Sequence, residues 1–309
     1  MWPSPKVREL AARFVPCADE EWSLRHAETA EGALFRRIAE QGHYAGQTEP
    51  SDTRQGLYAV APSGTLLASC NSNDPEEVAE MLKKSLEAWE GMPDEKRWLG
   101  PEAAKEVARS PRAEDHYPED GLVLRVRVRD LPRKVPPKDD WRKDASNLEY
   151  VWFTKEEAAS LAAGGSEALA RRLARFAFVD NARGQSEAYE DEQVEKAGLK
   201  LEGGAGSLRI SGETRTSAEG RWPVKGEGTR TESTPQKRGI AVRITGTSAW
   251  DAKAGRFTAF QATAEGLRWG GTQYNERQDD LEEAPIRFTL ELAGPQERMA
   301  PSAFSEYGW

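Results

Sequence analysis

The stretch GLYAVAPSGTLLASCNSNDPEEVAEMLKKSLEAW, Gly56 to Trp89, decides how the first part of the chain is read. GLYAVAP and TLLASC are short apolar runs joined by Ser63-Gly64, the punctuation of a β-hairpin. Asp74, Pro75 and Glu77 then supply an N-cap, a first-turn proline and the reciprocal acid of a capping box. Val78, Met81, Leu82, Leu86 and Trp89 recur on one side of the helix that follows. The stretch is a strand, a turn, a strand and a capped helix.

Working outward, SPKVRELAARF places Ser4 at an N-cap and Pro5 at the first helical position, with Val7, Leu10, Ala11 and Phe14 on one apolar face. The segment FVPCA after it is apolar and suits a buried strand. A second helix over Glu31 to Gln41 packs through Leu34, Phe35, Ile38 and Ala39. The order becomes helix, strand, helix, hairpin, helix.

SPKVRELAARFVPCADEE and GLYAVAPSGTLLAS resemble the helix-to-strand stretch and the closing hairpin of thioredoxin-like proteins. The resemblance covers residues 1–92 and implies an α/β thioredoxin-like domain. The family's chemistry needs a Cys-x-x-Cys pair at a helix N-terminus and a cis-proline before the hairpin. This chain has Trp2-Pro3-Ser4-Pro5 and Thr53-Arg54-Gln55 at the corresponding places. The resemblance therefore implies a redox-inactive binding or scaffolding module, with His43, Tyr44 and Arg54 facing its groove as contact residues. The alternative is a thiol oxidoreductase using Cys17 and Cys70, which read more simply as small buried apolar side chains. The family's central strand precedes its first helix, and LEYVWF, Leu148 to Phe153, is one candidate to stand in for it.

A length of 309 residues exceeds the roughly 250 that one core reaches, so two domains are expected. Residues 93–120 are rich in proline and charge and read as a linker, with a short helix over Pro101 to Ala108. Residues 121–295 form the second domain and 296–309 a C-terminal tail. LVLRVRVRDL alternates, with Leu122, Leu124, Val126 and Val128 on one face and arginines on the other. Thr154 and Glu157 make a capping box for a short helix, and Ser166 starts another with Leu169, Leu173 and Phe176 on its apolar side. Long strands follow. SLRISGETRTS and GIAVRITGTSAWD each carry a mid-strand glycine, the mark of a bend or bulge, and Asp251 to Gly255 turn into RFTAFQATAEGLRW. Between the first two strands of this run lies a long polar loop, GRWPVKGEGTRTESTPQKRG. The expected class is α+β with a curved antiparallel sheet.

The net charge of −9, with both signs mixed along the chain, argues against a nucleic-acid partner. No apolar run has the length of a membrane span, so no span is expected; cytoplasmic is the default location, with export left open should the start be a processed one. Two cysteines and three histidines give no disulfide framework or metal centre, and no cofactor, catalytic or metal residue is assigned. His43-Tyr44 and His116-Tyr117 read as loop residues. Two polar stretches remain: VDNARGQ, with Asp180, Asn181, Arg183 and Gln185, and RWGGTQYNERQDD, with Trp269, Tyr274, Asn275, Arg277, Asp279 and Asp280. An aromatic plane beside amides, guanidinium and carboxylates suits a polar small molecule or sugar, and the two loops are expected to form one site or to pair with one another across the gap. The partner is then a protein or a polar small molecule.

Overall fold

A computed structural model describes residues 4–19, 21–46, 53–100, 113–132, 145–204, 206–224 and 233–308. The chain divides into two units, Met1–Pro111 and Arg112–Trp309.

Among the described residues of the first unit the helices are α1 (Pro5–Ala11), α2 (Glu21–His26), α3 (Ala30–Gln41), α4 (Pro75–Glu90) and α5 (Asp94–Arg97). Strands β1 (Leu57–Val60) and β2 (Leu66–Cys70) pair antiparallel as the hairpin their sequence foretells. Asp74 accepts bonds from the backbone N–H groups of Glu76 and Glu77, capping α4 alone, without the reciprocal bond from Glu77. Pro5 opens α1, while the Ser4 side chain makes no cap bond. α4 packs on β2 and α1 packs on α4, enclosing Val7, Ala59, Val78, Ala79, Met81 and Leu82. FVPCA forms no strand: Val15 is 88% exposed and Cys17 is exposed. Pro16 removes a ladder donor, and among the described residues no neighbouring strand lies there to pair with. The unit's sheet, over the described residues, is the two-stranded hairpin.

The second unit is one antiparallel sheet of seven strands: β3 (Leu122–Asp130), β4 (Ser146–Phe153), β5 (Val194–Gly204), β6 (Ser207–Arg221), β7 (Pro235–Asp251), β8 (Arg256–Trp269) and β9 (Ala284–Leu292), in the order β4-β3-β9-β8-β7-β6-β5. LEYVWF lies in β4 and pairs residue for residue with β3, Leu122 opposite Phe153 through Arg129 opposite Ser146, so it does not stand in for a strand of the first unit. Between β4 and β5 run α6 (Lys155–Ala162) and α7 (Glu167–Arg172), the latter ending in one π-helical turn, Leu173–Ala177. Thr154 and Glu157 form the full capping box, and Ser166 caps α7 through the Leu169 amide.

The edges of the sheet meet these helices. The Ser166 amide donates to the Leu199 carbonyl of β5 at 3.2 Å, and the Arg172 guanidinium donates to the Trp152 carbonyl of β4 at 3.1 Å. Laid flat at ~4.8 Å per strand, the two edges would stand roughly 29 Å apart. A segment of ~16 Å touches both, so the sheet curls around it without closing. Leu161, Leu169, Leu173 and Ala177 fill the inside against Leu124, Ile210, Ile244, Phe260 and Phe288. The curvature does not come from bulges at the mid-strand glycines: the ladder runs through Gly212 and Gly246 without a shift, and the irregularities fall at Val194/Lys196 and Ala249/Trp250. What the glycines allow is close approach, since a Cβ at either would stand 2.4 or 2.3 Å from a carbonyl oxygen of the next strand.

The predicted helix over Pro101–Ala108, and residues 225–232 of the long loop, lie outside the described residues. Residues 293–308 pack against β4, with Phe304 beside Trp152 and Tyr307 beside Phe176. No helix among the described residues is long and apolar enough to cross a membrane.

Candidate functional site

The two polar loops of the second unit do come together. Gly184 makes this possible: a Cβ there would lie 2.2 Å from the Tyr274 carbonyl oxygen, and the adjacent Gln185 amide donates to that oxygen at 3.0 Å. Beneath this contact Arg277 donates to both oxygens of Asp180, at 2.8 and 2.5 Å, and to both oxygens of Asp130, at 2.9 and 2.7 Å. Arg183 lies 2.6 Å from Asp130 and 3.0 Å from Asp280, and Arg268 lies against Asp280. Asn275 donates to the Asp180 carbonyl at 3.3 Å and accepts from the Thr272 amide.

The result is a cluster of three guanidiniums and three carboxylates, with the arginine side chains 0% exposed. Burial pushes the Asp130 carboxyl up, but bonds and charge from Arg277 and Arg183 outweigh it, leaving the group below the usual carboxylate range. For Arg277, burial acts downward and is overcome by Asp180 and Asp130, so its guanidinium is held firmly charged. Arg268 goes the other way, lowered by burial and by the neighbouring Arg277. These buried ion pairs tie β3, β8 and both loops to one another. Of the expected site residues, Asp180, Arg183, Asn275, Arg277 and Asp280 belong to this cluster. The Asn181 amide to Val179 carbonyl bond closes the first loop beside it.

Asp130 and Arg268 were not anticipated, yet each carries a signal. Asp130 follows Val126 and Val128, and Arg268 follows Ala262 and Ala264, at the two-residue spacing that points into the core. A charge on an inward position of an alternating strand demands a buried partner.

Trp269 does not join the cluster. One residue beyond the inward Arg268, it faces the outer side of the sheet, its ring over Gly239 and the Arg215 guanidinium 5.0 Å from its centroid. Its partner Arg215 lines an open groove of about 850 Å³ on that outer face. Lys196, Glu213, Arg215, Arg243, Thr245 and Thr263 line the groove.

In the first unit, Arg54 is 1% and Tyr44 7% exposed, so neither is the surface contact expected of it. The His43 ring stacks on Tyr58 and leans on Tyr44, the Tyr58 hydroxyl donates to the Arg54 carbonyl at 2.5 Å, and the Arg54 amide donates to Glu21 at 2.6 Å. Burial drives the Tyr58 phenol far upward. These residues bind the loop before β1 to α2 and α3. Cys17 and Cys70 are both free; Cys17 is exposed rather than buried, and burial pushes the Cys70 thiol up.

Comparison with models of known families, with curated proteins and with solved structures found no match.

Proposed function

We propose that the protein is a binding or scaffolding protein whose second unit presents the outer face of its sheet to a polar ligand. The observation that carries this reading is the division of polar groups between the two faces. Inside, the arginines and aspartates pair with one another and hold the fold. Outside, a groove of about 850 Å³ opens over guanidinium, ammonium, carboxylate and hydroxyl groups, one of its guanidiniums, Arg215, lying over the half-buried Trp269. Ordered polar groups over an open concavity suit recognition rather than bond-breaking, which wants an enclosed space.

For the first unit, the thioredoxin-like likeness rests on the hairpin and the capped α4, and a redox-inactive module is the reading that fits its thiols. A reactive thiol wants a helix N-terminus or a cationic neighbour to stabilise its thiolate. Cys70 ends a strand with its thiol raised, and Cys17 sits in a loop with its sulfur 3.9 Å from the Val15 carbonyl.

Filling the groove tests the proposal. A panel of polar metabolites, sugars and oligosaccharides is run by thermal shift against wild type and Ala241→Trp, whose indole would occupy the groove floor. A ligand that raises Tm in wild type and does nothing in the variant supports the outer face. Ligand shifts that survive in Ala241→Trp move the site elsewhere and sink the reading.

A further inference from the structure

The strand register sorts the outer face into rows that cross the sheet. One row runs Lys200, Ser211, Thr245, Thr263, Thr289, Arg127, each residue directly opposite the next on the neighbouring strand. Four consecutive hydroxyls are thus bracketed by two cations. The adjacent row runs Glu213, Arg243, Glu265, Arg287, Arg129, so Arg243 stands between two glutamates and Arg129 closes the row. Thr245 and Thr263 lie in the groove itself, with Arg243 beside them.

The acids on this face are mostly spoken for. Glu213 holds Lys196 at 2.7 Å, Glu265 holds Arg287, and Glu291 holds Arg125 at 2.7 Å. Among the described residues no acid lies within ion-pair distance of Lys200, Arg243, Arg127 or Arg129. A chain with a net charge of −9 therefore carries a cation outside any ion pair at each end of the hydroxyl row, Lys200 and Arg127, while Arg243 beside the row keeps its donors out of the pairs that Glu213 and Glu265 make with Lys196 and Arg287. Guanidinium and ammonium groups donate hydrogen bonds and accept none, so what they seek is anionic oxygen, while hydroxyls accept as well as donate. Six strands at ~4.8 Å make the row roughly 24 Å long, which asks for an extended ligand rather than a compact one.

We infer, building on the proposed binding function, that the outer face takes an acidic polysaccharide, its carboxylates on Lys200, Arg243, Arg127 and Arg129 and its sugar hydroxyls on the serine-threonine row. Two other extended polyanions fit less well. Single-stranded nucleic acid wants aromatic side chains for its bases, and the row has none. An acidic peptide gains its affinity from a strand edge or from apolar anchor pockets, and this is a sheet face of small hydroxyls and charges.

The test uses the full chain and polygalacturonate, with neutral dextran, poly-L-glutamate and a single-stranded oligonucleotide of matched length as comparators, by titration calorimetry. Expected are binding of polygalacturonate that weakens as sodium chloride is added, and no binding of dextran. The double variant Lys200→Glu/Arg243→Glu, with an unchanged melting temperature, weakens it at least roughly tenfold. Lys84→Glu, on α4 of the first unit, leaves it unchanged. Preference for poly-L-glutamate or the oligonucleotide, or dextran binding as well as polygalacturonate, overturns the ligand class; where Ala241→Trp abolishes that binding, the outer-face reading survives. No binding of polygalacturonate at low salt by the folded chain overturns the inference alone, because the groove-filling test stands independently of this polymer.

Discussion

Removing Arg277 would leave the largely buried Asp130, Asp180 and Asp280 facing two guanidiniums. An uncompensated buried charge costs far more than an ion pair contributes, so Arg277→Met is expected to lower unfolding free energy by about 3–5 kcal/mol at pH 7 in urea titrations. The sign of its pH dependence follows from Asp130. Its carboxyl is depressed below 3.8 in the folded chain, so its stabilisation is present above that value and is lost as pH falls through the folded one. The gap between wild type and Arg277→Met should therefore narrow below pH 3.8. Glu149 has the opposite sign. It is buried without a cation; it accepts from the Tyr150 and Ser302 amides and from the Ser302 hydroxyl, and burial raises it above 4.5. A raised carboxyl favours the folded state below the unfolded value and loses that contribution as pH rises through the folded one. Glu149→Gln removes the charge, its amide oxygen still accepting from the Tyr150 and Ser302 amides while its Nε2 donates to the Ser302 hydroxyl, so its Tm should exceed wild type at pH 8 and match it at pH 4. Equal curves at both would mean that solvent reaches the carboxylate.

At the scale of elements, Glu157 serves two purposes. It closes the capping box of α6, and its two oxygens accept from Arg172 at 2.6 and 2.7 Å, tying α6 to α7. Thr154→Ala removes one bond of the box and is expected to cost about 1 kcal/mol, a fall of about 2–4 °C in Tm, while Thr154→Ser restores most of it. A Thr154→Ala variant as stable as wild type would show that the Arg172 pairing alone holds the helix start. This box could be read directly from sequence because caps are local, and so could the alternation of β3 and the turn at Asp251 to Gly255. FVPCA misled because a short apolar run without a partner strand has nothing to make it extended, and Pro16 lacks the donor. The buried cluster was legible in its loop part only: Asp180, Arg183, Asn275, Arg277 and Asp280 stand out in their loops, whereas Asp130 and Arg268 lie on strands, outside those loops. The serine-threonine row was not legible at all, since it exists only through the register of six strands, which is set by long-range pairing.

The whole molecule pairs a small core with a large one. In the first unit Val7, Ala59, Val78, Ala79, Met81 and Leu82 form the buried cluster behind a two-stranded sheet, and a hairpin of that size is marginal without helices on it. The second unit has a seven-stranded sheet wrapped on two helices, plus the buried ion cluster. Stability grows with the apolar area removed from water, so the two should melt apart, the first at lower temperature. Leu82→Ala in the first unit and Phe288→Ala in the second delete comparable side chains from the two cores, at about 2–5 and 3–5 kcal/mol. Scanning calorimetry of the full chain should show two transitions, with Leu82→Ala lowering only the first and Phe288→Ala only the second. A single transition that moves with both substitutions would mean that the units unfold as one, and the division at Pro111 would then mark a feature of the contact pattern rather than of the energetics.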